Sequence, residues 1–213
     1  FIENYFSNVA LGDIAESTPE KLFGLVRAHF KFALKRESKK AMVRIYNPSF
    51  KEDGWNCDHT VIEIINDDMP FLVDSITLEL NRLGLTPHLL MHPVINVLRS
   101  KNGKMEGVSS VSNFSNRSVC ESFMHLQIAR QASQQLVKTR KAIHKVIKDV
   151  RFAVEDWVGM RTTMSSIIEE LESKSKGTVT EDAAEAQDFL RWVNDEHFTF
   201  LGYREYDFIG KGK

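Results

Sequence analysis

The residues best suited to chemistry in this 213-residue sequence gather where a strand-like run meets a helix-like run. Asp67 and Asp68 precede Pro70 at this junction, and Asp74 and Ser75 follow a turn further on, inside the helix-like run. A helix start offers unsatisfied N–H groups to an anion, so a small-molecule carboxylate could bind here. The simpler interpretation is that Asp67 or Asp68 caps the helix.

The histidines form a second group of candidates. His88 and His92 are four residues apart on a predicted strand, so they share a face of it, with Cα atoms roughly 13 Å apart. That separation is too long for a simple shared zinc ion. His125 falls on a further predicted strand. The spacing favours polar histidines on a sheet face, and we predict no metal site and no cofactor in this chain.

Motifs and composition exclude many functions. The sequence has no GxGxxG after a strand, no P-loop, and no HExxH, CxxC or GxSxG word. With 28 Lys+Arg against 29 Asp+Glu, it lacks the basic surplus of a general nucleic-acid binder. No apolar run reaches the roughly 18 residues of a membrane span. The absence of a signal-peptide pattern, and Cys57 and Cys120 read as reduced thiols, predict a cytoplasmic protein.

The elements that must position the candidates follow from hydrophobic periodicity and cap signals. Residues 1–16 read as a short amphipathic helix, and Thr18-Pro19 starts a second helix that ends at Lys35-Arg36. Pro70 in a first turn and Gly84 as a left-handed cap bound a third. The predicted strands are 41–46, 59–65, 88–98 and 121–130, with a turn at Asn102-Gly103 and a Ser/Asn-rich loop at 108–119.

The predicted elements of residues 59–130 therefore follow the order strand, helix, strand, turn, strand. This order predicts an α+β fold with a βαββ core of the ferredoxin-like type, flanked by the N-terminal helix and by a long C-terminal helix or helical hairpin. We expect three parts: a helical segment at 1–38, the α+β domain at 39–174, and a linker, helix and first strand of a further domain at 175–213.

The long helical pattern at 131–173 carries a heptad-like seam. Its members are Ile143, Ile147, Val150, Val154, Trp157, Met164, Ile168 and Leu171. A helix or hairpin packed on its own sheet and an intermolecular coiled coil both explain this seam, and Gly159 weakens the case for an unbroken helix. After a linker at 173–180, a helix restarts at Thr180, and residues 198–206 read as a strand.

Short sequence motifs spread along the chain resemble those of one protein family. They are Asp67-Asp68-Met69-Pro70-Phe71-Leu72-Val73-Asp74-Ser75, His92-Pro93-Val94, Glu121-Ser122-Phe123-Met124-His125, Asp149-Val150-Arg151, Val154-Glu155-Asp156-Trp157, Phe189-Leu190-Arg191-Trp192 and Phe198-Thr199-Phe200-Leu201-Gly202-Tyr203-Arg204-Glu205-Tyr206. In this order they resemble the N-terminal region of the large-type bacterial NAD-specific glutamate dehydrogenases. That region is similar to ACT domains, ferredoxin-like modules that often bind amino acids and regulate a linked enzyme.

The resemblance implies a non-catalytic regulatory and assembly segment. The parent would convert L-glutamate, NAD and water to 2-oxoglutarate, ammonia and NADH in downstream domains of the same chain. The expected partners are those domains, further copies in a homo-oligomer and an amino-acid effector, without nucleic acid or membrane. The resemblance suggests six ligand-binding residues, with carboxylates holding the ammonium group: Asp67, Asp68, Asp74, Ser75, His88 and His92. The alternative is a purely structural oligomerisation module without a ligand.

Overall fold

A computed structural model describes residues 1–7, 9, 12, 17–109, 118–174 and 181–206. Its helices are α1 (Ile2–Phe6), α2 (Pro19–Ala33), α3 (Phe50–Asp53), α4 (Leu72–Arg82), α5 (Ser133–Glu155), α6 (Trp157–Lys174) and α7 (Glu181–Trp192), followed by a π-helical turn at Val193–His197. Its strands are β1 (Met42–Tyr46), β2 (Thr60–Asp67), β3 (Pro87–Met91), β4 (Val94–Arg99), β5 (Met105–Ser109) and β6 (Ser118–Ile128). Among the described residues, no helix combines the length and apolarity needed to cross a bilayer.

The chain divides into two compact units, residues 1–150 and 151–213. The predicted boundaries at 38/39 and 174/175 stay predictions. In the first unit, the described strands form one antiparallel sheet in the order β1-β2-β6-β4-β5. Strand β3 pairs with the end of β6 that β4 leaves open.

The connection from β2 through α4 to β3 and β4 is a split βαβ unit. Strands β2, β3 and β4 each run antiparallel to β6, so β2 runs parallel to β3 and β4 with β6 between them. This arrangement confirms the predicted α+β, ferredoxin-like fold. One difference is the outer position beside β2, which the last strand of a βαββαβ unit would fill. Here the earlier strand β1 fills it.

Strand periodicity sorts the sheet into two buried faces. On the first face, Val61 and Ile65 of β2 and Phe123 of β6 join one apolar cluster with Leu25 and Val26 of α2. Thr18 starts α2 as predicted, because its hydroxyl accepts a hydrogen bond from the Lys21 N–H at 3.4 Å.

The second face carries buried β2 and β6 residues of the opposite parity. Buried apolar side chains of α4 and α5 lie outside the first cluster and supply cover for this face. The residues concerned are Ile62, Ile64, Met124, Leu126, Ile128, Leu72, Ile76, Leu80, Ile143 and Ile147.

The start of α4 differs from the sequence prediction. Asp67 belongs to β2, and neither Asp67 nor Asp68 caps the helix, because the N-cap position is Phe71 at φ 65° with no side-chain cap bond. Pro70 therefore lies before the helix rather than in its first turn. The other end is as predicted, since Gly84 adopts φ +71° and its N–H donates to the Asn81 carbonyl.

Two other element predictions need correction, and the structure settles one point that the sequence left open. The strand predicted at 88–98 is interrupted at His92-Pro93, so β3 and β4 are separate, and the chain turns at Asn102-Gly103 into the additional strand β5. The helical pattern at 131–173, whose continuity the sequence left open, forms α5 and α6 with a break at Asp156. Residues 198–206 form no strand, because no described strand lies beside them to complete their backbone hydrogen bonds.

Parts of four predictions lie outside the described residues. They are residues 8, 10, 11 and 13–16 of the predicted 1–16 helix, most of the 108–119 loop, the linker at 175–180 and the final residues 207–213. The heptad-like seam at 143–171 is only partly buried. Its members Ile143, Ile147, Val150 and Ile168 are buried, whereas Trp157 is 39% exposed.

Two helical glycines should respond oppositely to alanine. A Cβ on Gly24 would lie 2.4 Å from the Cβ of buried Trp55, whereas one on Gly159 would meet no described atom within 4 Å. We expect Gly24→Ala to destabilise the first unit by roughly 1–3 kcal/mol through overpacking. Gly159→Ala should stabilise its helix by roughly 0.5–1 kcal/mol. Urea unfolding followed by circular dichroism measures both, and a neutral Gly24→Ala variant would contradict the close contact.

Candidate functional site

The junction between β2 and α4 lies on the second face of the sheet. Pairing with β6 extends past the end of β2, where the Asp68 N–H donates to the Cys120 carbonyl at 3.0 Å. One residue earlier, Asn66 lies opposite Ser122 in the β2–β6 register, and both are fully buried. The sequence between β2 and α4 thus runs from a buried polar pair to a helix start without a side-chain cap.

Half-buried His92 is the basic side chain at this junction. Its Nε2 atom lies 2.5 Å from the Ser122 hydroxyl oxygen. Burial lowers the pKa of His92, and the nearby carboxylate of exposed Asp68 opposes that shift. On the same strand as Ser122, the Cys120 thiol donates to the Asn96 side-chain oxygen at 2.8 Å. The junction therefore combines a half-buried imidazole and an exposed carboxylate with neighbouring hydroxyl and amide side chains that are fully buried.

A buried ion network fixes the same end of the sheet from the first face. Arg36 lies just after α2 and is 2% exposed. Its Nη2 donates to Asp67 Oδ1 at 2.6 Å and to Glu121 Oε1 at 2.8 Å. Arg99, at the end of β4, donates to both oxygens of fully buried Glu121 at 2.5 and 2.7 Å. Two guanidinium groups thus neutralise two carboxylates, which is the condition for burying charges stably.

The network also joins segments that are distant in sequence. Arg36 Nη1 donates to the Lys40 carbonyl and Arg99 Nη1 donates to the Gly103 carbonyl. Asp67 and Glu121 face each other in the β2–β6 register, so their ion pairs lock the strand ends that lead into the junction. The positions of Asp68 and of the residues before α4 therefore depend on this network.

A family model described as the glutamate dehydrogenase ACT1 domain matches residues 1–144. The chain belongs to this family. Among curated relatives, the NAD-specific glutamate dehydrogenase of Halomonas elongata is 34% identical over 209 residues, which are 97% of the chain and 13% of that relative. The protein of the same description from Pseudomonas aeruginosa is 32% identical over 207 residues, with the same two shares. The chain therefore spans only 13% of the length of these relatives.

A more distant relative covers less of the ACT1 chain. The NAD-specific glutamate dehydrogenase of Mycobacterium tuberculosis is 24% identical over 182 residues, 84% of the chain and 11% of that relative. The family match confirms the resemblance that the sequence motifs indicated. Those motifs include the junction residues Asp67–Ser75 and the segments at His92 and Glu121-Ser122 that meet there.

The structure of the ACT1 chain separates the six predicted site residues. Asp68 and His92 meet at the junction, whereas Asp67 points into the ion network with Arg36. Exposed Asp74 lies in the first turn of α4. Two remain elsewhere: Ser75 lines a groove of about 290 Å³ between α4 and α5, and the His88 ring contacts His59 at 5.0 Å. Their role in ligand binding stays a prediction.

Sequence reasoning missed four residues that shape the junction: Arg36, Arg99, Asn66 and Ser122. The sequence analysis placed Arg36 at the end of the second helix, whereas it lies beyond α2 and is buried. A signal was present at Glu121-Ser122, where two adjacent polar residues precede the apolar Phe123-Met124 within a predicted strand. A buried carboxylate requires a cationic partner, but the sequence alone does not say which arginine supplies it.

Removal of Arg36 should destabilise the first unit strongly. Arg36→Met would leave the carboxylates of Asp67 and Glu121 with one neutralising guanidinium, and we expect a loss of about 3–5 kcal/mol in the free energy of unfolding. The matched control is Arg82→Met, which breaks a surface pair with Glu79 and should leave the free energy of unfolding nearly unchanged. Equal losses in urea denaturation would contradict the network's structural role.

The titration of His92 should report its surroundings. We expect nuclear magnetic resonance to give a pKa below the ordinary value of about 6.5, because burial disfavours the imidazolium. Asp68→Asn should lower the pKa further, since the carboxylate favours the charged ring. Asp74→Asn is the control and should leave this pKa unchanged. A rise in the Asp68→Asn variant would contradict the described geometry.

Proposed function

We propose that this chain is the N-terminal regulatory and assembly segment of an NAD-dependent glutamate dehydrogenase and is not itself catalytic. The family match to the ACT1 domain carries this proposal. The parent would oxidatively deaminate L-glutamate to 2-oxoglutarate and ammonia with NAD. The present sequence has no Gly-rich dinucleotide fingerprint, so NAD is assigned to downstream domains of the parent. A cytoplasmic location is part of the same proposal.

We further propose an amino-acid effector at the β2–α4 junction. Exposed Asp68 would receive the α-ammonium group, and the N–H groups at the uncapped start of α4 would receive the α-carboxylate. Ser122 and His92 would fix the remaining polar atoms through their hydrogen-bonded pair. Asp74, exposed in the first turn of α4, is a second candidate for the ammonium group.

Binding of an effector at the junction would affect several elements of the first unit at once. It touches the end of β2, the start of β6 and, through Arg36 and Arg99, the segments after α2 and β4. An effector shifts an equilibrium only by its differential affinity for two states. A ligand that holds α4 against β6 would supply that difference and would alter the surfaces that contact the rest of the parent.

Assembly without a ligand is the second candidate, and exposed apolar side chains favour it. In the first unit, Ile2 and Phe23 are at least half exposed and line an apolar groove of about 790 Å³ between α1 and α2. In the second unit, Trp192 is 46% exposed and Phe198 is 58% exposed. Exposed apolar patches of this kind mark protein contacts. A molecular mass that rises with concentration would favour homo-oligomeric assembly.

Thermal unfolding against amino acids, 2-oxoglutarate and NAD tests the effector proposal. A specific ligand at a hundred times its dissociation constant should add roughly 2.7 kcal/mol of stability. We expect one amino acid to give a saturable increase in melting temperature. Asp68→Asn and His92→Gln should each abolish the increase, and Asp74→Ala tests the second ammonium partner. Asp182→Asn, in the first turn of α7, is the matched control and should retain the increase.

Three outcomes would contradict parts of the proposal. The absence of stabilisation by any compound would favour assembly without a ligand. An increase that survives both Asp68→Asn and His92→Gln would place the effector elsewhere. NADH formation from glutamate by this chain alone would contradict its assignment as non-catalytic.

A further inference from the structure

A polar row crosses the otherwise apolar first face of the sheet. In the strand registers, Arg44 of β1 lies opposite Glu63 of β2, and Glu63 lies opposite His125 of β6. Helix α2 places His29 over this row, with His29, Glu63 and His125 all fully buried. One potential ligand atom from each of these three residues lies within 4.8 Å of the other two.

Each of the three side chains is held by a partner. His29 Nδ1 lies 2.8 Å from the Tyr5 hydroxyl, and His125 Nε2 lies 3.1 Å from the Gln127 carboxamide. Glu63 Oε1 accepts a hydrogen bond from the Tyr46 hydroxyl at 3.0 Å. Metal-binding histidines characteristically have one ring nitrogen oriented by such a partner, which leaves the other nitrogen for the ion.

The other ring nitrogens are the unexplained feature. Within the described part of the chain, buried His125 Nδ1 has no hydrogen-bond partner, and buried His29 Nε2 makes no bond of ordinary hydrogen-bond geometry, although the Ile64 backbone lies close enough to the His29 ring to affect its pKa. Buried polar atoms without partners are rare, because desolvation without a compensating bond is costly. A bound cation would supply the missing interaction to both imidazoles at once.

We propose that His29, Glu63 and His125 form a binding site for a single divalent transition-metal ion, with Zn²⁺ the best match. Imidazole and carboxylate are ligands that Zn²⁺ prefers, and two histidines with one glutamate leave a fourth position open. The sequence favoured no metal site, because these three residues are far apart in the chain and only the sheet register and α2 bring them together.

The protonation states of the histidines suit a metal ligand. Burial lowers the pKa of His125 to about 3, with Arg44 adding to the effect, and burial lowers the pKa of His29 strongly. Both rings are therefore neutral near pH 7, which is the form that binds metals. Burial raises the pKa of Glu63 to about 7. A bound cation would favour the ionised carboxylate.

Arg44 is the competing group. Its guanidinium bonds Glu63 at 2.5 Å, and two cations at one carboxylate repel each other. The Arg44 side chain is 31% exposed, and its guanidinium also donates to the Ala28 carbonyl at 3.2 Å and lies over the Tyr46 ring, so an ion at Glu63 must compete with these contacts. An ion bound here would join α2 to β2 and β6. The site thus goes beyond the proposed effector function and does not depend on it.

Metal uptake by the whole chain tests the proposal. The chain is first stripped of metal with a chelator, then incubated with Zn²⁺ and dialysed. We expect elemental analysis to find a single Zn²⁺ retained per chain. Co²⁺ in place of Zn²⁺ should give the intense visible absorption of a tetrahedral or five-coordinate site. Glu63→Gln and His125→Gln should each remove both signals, with circular dichroism showing that the variants remain folded.

A surface histidine pair provides the control. His59 and His88 have ring centroids 5.0 Å apart and are the competing site for adventitious metal. The double variant His59→Gln/His88→Gln should retain the ion and the Co²⁺ spectrum. Loss of uptake in this double variant would overturn the proposal, and so would the absence of a stoichiometric ion in the wild-type chain. The wild-type result stands even where a buried variant fails to fold.

Discussion

The antiparallel pairing of β2 with β6 is the interaction on which the first unit depends. Eight consecutive residues of β2 face eight of β6, strands β1, β3 and β4 each pair with one of these two, and β5 joins the sheet through β4. Because side chains alternate along a strand, this single register decides which residues meet on each face. It sets Glu63 against His125 and Asp67 against Glu121 on one face, and Asn66 against Ser122 on the other. A shift by one residue would exchange these sets and would bury the wrong groups under both layers of helices.

Charge neutralisation is the second constraint, because Glu63 and Glu121 of this register are fully buried. Glu121 is acceptable in the interior only because Arg36 and Arg99 both reach it. Glu63 has Arg44 and the Tyr46 hydroxyl. Both carboxylates therefore recruit partners from outside the β2–β6 pair: the segment after α2, the end of β4, and β1. The electrostatic requirement thus also organises the connections around the sheet.

The fold was largely predictable from the sequence, whereas the site was predictable only in part. Periodicity and cap signals located α2, β1, β2 and most of β6, because each is decided by local side-chain patterns. Phe71 was missed as the N-cap of α4, since its left-handed conformation depends on its surroundings rather than on its own preference. Asp68 and His92 were recognised as candidates, but Asp67 was misread as a possible helix cap, because it lies in β2. Its partner Arg36 is far away in sequence, and no local pattern reveals such a pairing.

The placement of β6 between β2 and β4 has a consequence for the order in which the chain can fold. Every strand that borders β6 precedes it in the sequence, so a growing chain contains β2, β3 and β4 before the strand that unites them exists. Until then β2 has only β1 beside it, and the backbone groups along its other edge lack their partners. Pairings between distant segments form slowly and leave such edges open to wrong contacts. Helix α5 follows β6 directly, so synthesis past this strand completes the sheet and delivers the helix that covers its second face at nearly the same time.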